Sequence, residues 1–363
     1  MLERTSFFTI FLFLTVNLGA FADEKLFNVV VSEPSADDRA FAFVDTVTDK
    51  NRIVEVANNG QVIWEWEFPK RLMQTSDNIC KGADIEYLKS SDQFLFVLPM
   101  QGAYIVGRDG GLRTIVEDEF ISHDIDILPN GNFIYTRGWV NKGDDEVREI
   151  NNSGEIVWKW SHAKYFPDRD EFLRDFSKRR VEIMYKRGTL KKGGIDWAHA
   201  NAVDRDNDGN TLISLRNFQM FTIVGPDGAP IKNLTNLNLV HEPHKIQGGY
   251  IASDRRLKKG YLRHSIVLLS DNNKRTHLLE GQFRTVRGIE PIGNGRFNIT
   301  SVGNVFEIDA GGKIYQRMHL ATLKEDAERD LHSRDLRALG QNNIFKGKCG
   351  ILPLYKVAKT RSY

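Results

Sequence analysis

Three histidines and one arginine recur at equivalent places in this chain. "HDIDILPNGNFIYT" opens at His123 and reaches Gly131 eight residues on; "HEPHKIQGGYIASD" opens at His241 and reaches Gly249, also eight on. "RGIEPIGNGRFNIT" runs from Arg287 to Gly295 with the same spacing, and "HANAVDRDNDGNTLIS" runs from His199 to Gly209 with two extra residues in its turn. Asn201 stands two residues after His199, and Arg216 closes the same stretch. In a further copy, "ADIEYLKSSDQFLF", Ala83 holds the place. A strand-start histidine taken singly is an ordinary lining of a wet surface. Three in register, with an arginine, are a set of donors that repel when charged unless an anion or a metal ion lies among them. Asn201 and Arg216 add an amide donor and a guanidinium fork, both suited to oxyanions.

The elements that must position these residues follow from a second repeat. The segments "VANNG" (56–60), "VGRDG" (106–110), "INNSG" (150–154), "VGPDG" (224–228) and "IDAGG" (308–312) each end a strand-like run on a glycine four residues after Val or Ile. "LSDNN" (269–273) is a sixth copy with Asn273 in the glycine's place, the next-best residue for a left-handed turn. Another apolar run follows each turn, clearest in "QVIWEWEF" and "EIVWKW". Most turns recur at the 40 to 45 residues of a four-stranded propeller blade. The chain is therefore expected to be all-β, a six-bladed β-propeller whose innermost strands face a central channel. The recurring His, His, His and Arg then point at the axis from neighbouring blades. The long step from 154 to 228 predicts a helical insertion between blades 3 and 4, about 163–194, with Phe172, Leu173 and Phe176 at helical spacing. Its core, 164–192, carries ten Lys or Arg against five Asp or Glu, a charge best read as a solvated helix surface.

The chain has 363 residues, 41% hydrophobic and 27% charged, with a net charge of +2. Those values fit a globular chain and offer no concentrated basic surface for nucleic acid or an anionic membrane. Residues 1–22 read as a secretory signal peptide: the apolar run "FFTIFLFLTVNL" follows Arg4, and "AFA" supplies a cleavage pattern. Residues 23–363 are then a single propeller domain with a C-terminal tail from about 321, free of the membrane after cleavage. It would be exported, periplasmic in a bacterium and otherwise secreted. Cys80 and Cys349 either pair or stay apart as buried thiols.

Several motifs point elsewhere. "DRDNDG" (204–209) imitates the start of a calcium loop, but Leu215 stands where a bidentate Glu belongs, so a tight polar turn is expected. Trp64, Trp66, Trp158 and Trp160 alternate along strands, so one pair is expected to pack between blades; His244 is expected on the rim.

The motif H-x-N, a glycine-rich turn and S-x-R, flanked by "HDIDILPNGN" and "HEPHKIQGGY", resembles the arylsulfate sulfotransferase family over roughly residues 40–320. The resemblance implies a six-bladed propeller that moves a sulfuryl group from an aryl sulfate donor to a phenolic acceptor without a nucleotide donor or other cofactor. It implies His241 as the nucleophile, transiently sulfated in a ping-pong cycle, with His123, His199, Asn201 and Arg216 in support. Arg216 and Asn201 would bind sulfuryl oxygens, His199 or His123 would move the phenol's proton, and Arg287 would add positive potential for substrate. Where the family carries Asp after the nucleophile this chain has Glu242, and where it carries Asp-Asn on the next strand this chain has Ser253 and Asp254. Two other readings stay open: a lyase or hydrolase holding a divalent metal on His123, His199 and His241, and a non-catalytic propeller that binds an anion or a protein partner.

Overall fold

The structure, a computed structural model, describes residues 24–320 and 356–362, apart from 33–38, 46–47, 49, 74–81, 139–145, 173–181, 183–197, 239, 259–260, 273, 284–285 and 302. The leader (1–22), Cys80, Cys349, Asn273 and most of the tail lie outside the described residues.

Six antiparallel sheets form the six blades of a propeller. Each runs outward from an innermost strand: Asp84–Leu88 in blade 2, Ile121–Ile127 in blade 3, Ala200–Arg205 in blade 4, His244–Ile246 in blade 5 and Val286–Gly293 in blade 6. Inner and middle strands are packed on both faces by neighbouring blades, which is why "FLFVL" and "MFTIV" are apolar without alternation. Fourth strands have one wetter face and do alternate, as in "VIWEWE". The turns between third and fourth strands are the repeat found in the sequence. Gly60, Gly110, Gly154, Gly228 and Gly312 all take φ between 80 and 88°, a backbone that costs other residues about 1 kcal/mol or more.

The tryptophans seal blade against blade. Trp64 stacks on Phe94 of blade 2 at 5.0 Å and Trp66 lies 6.0 Å from Phe96. Trp160 donates to the Gly228 carbonyl of blade 4 at 3.1 Å, and the Arg205 guanidinium of that blade covers Trp158. Both pairs therefore pack between blades. "DRDNDG" is a polar turn, with the Asp206 carboxylate accepting from the Asp208 and Asn210 amides.

The expected helical insertion, about 163–194, lies mostly outside the described residues, and those that are described do not show it. Its described part is a 3-10 turn, His162–Lys164, and one helical turn, Arg169–Phe172; Leu173 and Phe176 lie outside the described residues. Phe172, the last residue of that helical turn, packs on Phe166 and Phe218, at 5.0 and 5.6 Å.

Ring closure uses both chain ends. Blade 1 consists of Arg39–Val44, Arg52–Ala57 and Val62–Glu67, and its innermost strand is Ala358–Ser362 from the C-terminus. Phe27–Ser32 from the other end adds a fifth strand to the outer edge of blade 6.

Candidate active site

An innermost strand exposes a row of backbone N–H groups toward the channel, and these need acceptors. Carboxylates of the preceding blade supply them. Asp84 of blade 2 accepts from the Ile125 amide of blade 3 at 3.2 Å, and Asp124 of blade 3 accepts from the Val203 amide of blade 4. Glu290 of blade 6 receives the Lys359 amide of blade 1 at 2.8 Å. These bonds stitch blade 2 to 3, 3 to 4 and 6 to 1, and they hold the innermost strands of blades 3 and 4 beside His123 and His199.

The first tier consists of those residues. His123 lies in the innermost strand of blade 3, His199 immediately ahead of that of blade 4, His241 just before that of blade 5, and Arg287 within that of blade 6. All but Arg287, which is half-buried, are buried, as are Asn201 and Arg216. The His123 and His199 rings stand 5.7 Å apart at 47°. His123 Nδ1 faces the Gly82 carbonyl at 3.3 Å; a carbonyl only accepts, so the ring's proton is on Nδ1. Burial, then the positive charges of Arg216 and Arg287, hold the His123 pKa down at about 3, so this imidazole is neutral.

Arg287 Nη1 lies 2.7 Å from His241 Nε2. A guanidinium only donates, so His241 is the neutral Nδ1–H tautomer with its Nε2 lone pair held by Arg287. Ser253 clamps the His241 backbone: its hydroxyl accepts from the His241 amide at 2.9 Å, and its own amide donates to the His241 carbonyl at 3.1 Å. Asn201 also serves this backbone. It donates to the Val240 carbonyl at 3.2 Å while accepting from Ser214, so one of its two N–H groups is already used in positioning. Arg216 opens a 3-10 turn, Arg216–Phe218, and its amide donates to the His199 carbonyl at 3.2 Å. His199 sits at φ 54° and Glu242 at φ 49°, left-handed backbone that is costly for both and marks a constrained hub.

A second, acidic tier lies one step deeper, and sequence reasoning missed it. Asp84, Asp124 and Glu242 directly follow the first-tier positions Ala83, His123 and His241, and all three surround the Lys356 ammonium. Lys356 enters just ahead of the C-terminal strand. Burial opposes its charge, yet Asp124, Asp84 and Glu242 hold its pKa well above the usual value. Burial also pushes Asp84 up to about 7 and Glu242 to about 8 against the pull of Lys356. Glu86, Asp126 and Glu290 continue the tier around a cavity of about 290 Å³. The signal was present: "DIE" and "DID" carry two acids two residues apart at the same blade position, and "GIE" keeps the second of them. His244, expected on the rim, instead lines this cavity with Nδ1 3.2 Å from Asp204. Among the described residues no group of three or more His, Cys, Asp or Glu is disposed to hold a metal ion, and Arg287 sits where a metal on His241 Nε2 would bind.

Residues 105–232 match the model of the family described as Arylsulfotransferase (ASST). The match runs from the third strand of blade 2 to the fourth of blade 4; it holds His123, His199, Asn201 and Arg216 and stops short of His241 and Arg287. It supports sulfotransferase function in general terms. A protein of unknown function from Bacteroides caccae is 14% identical, with 90% of this chain and 100% of that chain covered at a TM-score of 0.53, which shows a shared fold. Virginiamycin B lyase from Staphylococcus aureus is 11% identical, with 81% and 88% covered at a TM-score of 0.42. A gluconolactonase from Xanthomonas campestris is 9% identical, with 82% and 88% covered at a TM-score of 0.44. No curated protein matches the chain.

Proposed function

We propose that this propeller, with its arylsulfotransferase match over residues 105–232, transfers a sulfuryl group from an aryl sulfate to a phenol through a sulfated His241. The observation that carries the reading is the contact of His241 Nε2 with the Arg287 guanidinium at 2.7 Å, which makes the imidazole neutral with its lone pair on Nε2. An arriving aryl sulfate draws the Arg287 guanidinium from Nε2 onto its own oxygens, which frees the lone pair where the sulfur lies. Nε2 then bonds to sulfur as the S–O bond to the phenol breaks, and the leaving oxygen takes that electron pair. Arg216 and Arg287 bind the peripheral oxygens, whose negative charge they stabilise through the transition state. His199 gives the leaving phenolate its proton and takes one from the incoming phenol, which attacks the sulfur and releases imidazole. His123, neutral and fixed by the Gly82 carbonyl, orients His199. Asn201 and Ser253 hold the His241 backbone in line. Export by the leader segment at 1–22 would place this chemistry outside the cytoplasm.

The test is intact mass after brief exposure to 4-nitrophenyl sulfate. The expected outcome is a gain of one sulfuryl group, discharged by added phenol and absent in His241→Ala. Release of nitrophenol without an adduct, or an adduct that persists in His241→Ala, sinks the mechanism.

A further inference from the structure

Blade 5 carries a polar group that the proposed reaction does not use. His264 is buried, 4% exposed, and its Nε2 has no hydrogen-bond partner among the described residues. Buried polar atoms without partners are few in folded proteins and call for a reason, often a ligand. Two strands of the blade decide where His264 points. Gly249–Lys258 and Tyr261–Ser270 are ten residues each, and Arg255 is directly opposite His264. Side chains alternate along a strand, so Ile251, Ser253 and Arg255 share a face with Ile266 and His264. That face is the one turned to blade 6, since Ile251 and Ile266 pack in one cluster with Val286 and Ile289. Arg287, which holds His241, belongs to the same blade 6 strand. His264 and Arg255 therefore top the wedge between blades 5 and 6, beside the reacting centre. Ser253, which clamps His241, lies two residues before Arg255, a step of roughly 7 Å along the strand.

We infer that this wedge is a second anion subsite, formed by Arg255 and His264, that receives an acidic substituent on the aromatic ring of the substrate. The inference rests on the reading that an aryl sulfate places its sulfuryl group at His241. A ring whose sulfuryl end lies at His241 and Arg287 carries its far substituent out along the Ser253–Arg255 face. A carboxylate or a second sulfate ester there meets the Arg255 guanidinium and the His264 imidazole. Burial, then Arg255 and Arg287, keep the imidazole pKa well below its usual value, so it serves as a neutral donor and adds no proton of its own. Phe283, opposite His264 on the next strand, supplies an apolar wall for the ring. The preferred substrates are dianionic aryl sulfates, such as the sulfate esters of hydroxybenzoates.

Aryl sulfonates test this without turnover, because their carbon–sulfur bond does not transfer. Binding of benzenesulfonate is compared with that of 3- and 4-sulfobenzoate by calorimetry on the full-length protein. The wild type is expected to bind one of the sulfobenzoates at least roughly tenfold more tightly than benzenesulfonate. Arg255→Gln and His264→Phe should each erase that advantage and leave benzenesulfonate binding unchanged; Arg255→Gln, at a partly exposed site, covers the case in which His264→Phe fails to fold. Equal binding of mono- and dianions by the wild type, or an advantage that survives Arg255→Gln, overturns the subsite and leaves the His241 reading standing. Absence of binding by any sulfonate overturns both.

Discussion

At the scale of single residues, the pair His241–Arg287 separates this site from a ring of wet histidines. A guanidinium 2.7 Å from Nε2 fixes the tautomer, keeps the lone pair off solvent and waits where an anion will come. Arg287→Met is therefore expected to lower kcat/KM for 4-nitrophenyl sulfate by roughly 10²–10³, the usual loss for one oxyanion donor. Nucleophilicity of the uncapped imidazole should survive, so a slow sulfuryl adduct still forms in intact mass. An unchanged kcat/KM would remove Arg287 from the chemistry. Glu242, Ser253 and Asp254, which depart from the family's residues, still perform recognisable tasks: Glu242 faces Lys356, Ser253 clamps His241, and Asp254 accepts from the Asn238 amide at 2.8 Å.

At the scale of elements, the C-terminal strand does two things at once. Ala358–Ser362 completes blade 1, and Lys356 just before it ties blades 2, 3 and 5 through Asp84, Asp124 and Glu242. Lys356→Met leaves those carboxylates buried without their cation, which costs about 3–5 kcal/mol for a pair of this kind. Urea unfolding should show a loss that grows with pH, small at about pH 5, where Asp84 and Glu242, raised to about 7 and about 8, are protonated, and largest above pH 8, where both are ionised. A loss independent of pH would mean that packing of the lysine stem, not its charge, closes the ring.

For the whole molecule, the acidic tier sets an unusual pH dependence. Asp84 and Glu290 are raised to about 7 and Glu242 to about 8, above the value of roughly 4 that carboxyls have in the unfolded chain. The folded state thus binds more protons than the unfolded state between those values, and stability falls as pH rises through them. Glu24 acts in the opposite sense. Its bond to Arg52 lowers it to about 2, so the modest stability of that partly exposed pair is lost as pH falls below about 4. The melting temperature should therefore peak on the acid side, near pH 5, and decline toward pH 8. Calorimetry across that range checks it; a melting temperature that climbs from pH 5 to 8 would show that the hub carboxylates are ionised and compensated.

The sequence by itself determined what is local and periodic. Six recurring turns, most of them about 40 to 45 residues apart, specify six hairpins, and His123, His199, His241 and Arg287 stand at one place in the repeat because each blade re-uses one backbone plan. The acid repeat at Asp84, Asp124 and Glu242 was equally legible and went unread, since its meaning depends on a partner 232 residues from Asp124. Only the tertiary structure decided that partner. Lys356 reaches the axis because a ring must close, and which strand closes it is a matter of distant chain ends meeting, not of local pattern. Periodicity places residues in equivalent positions; long-range closure determines which charges share the space between them.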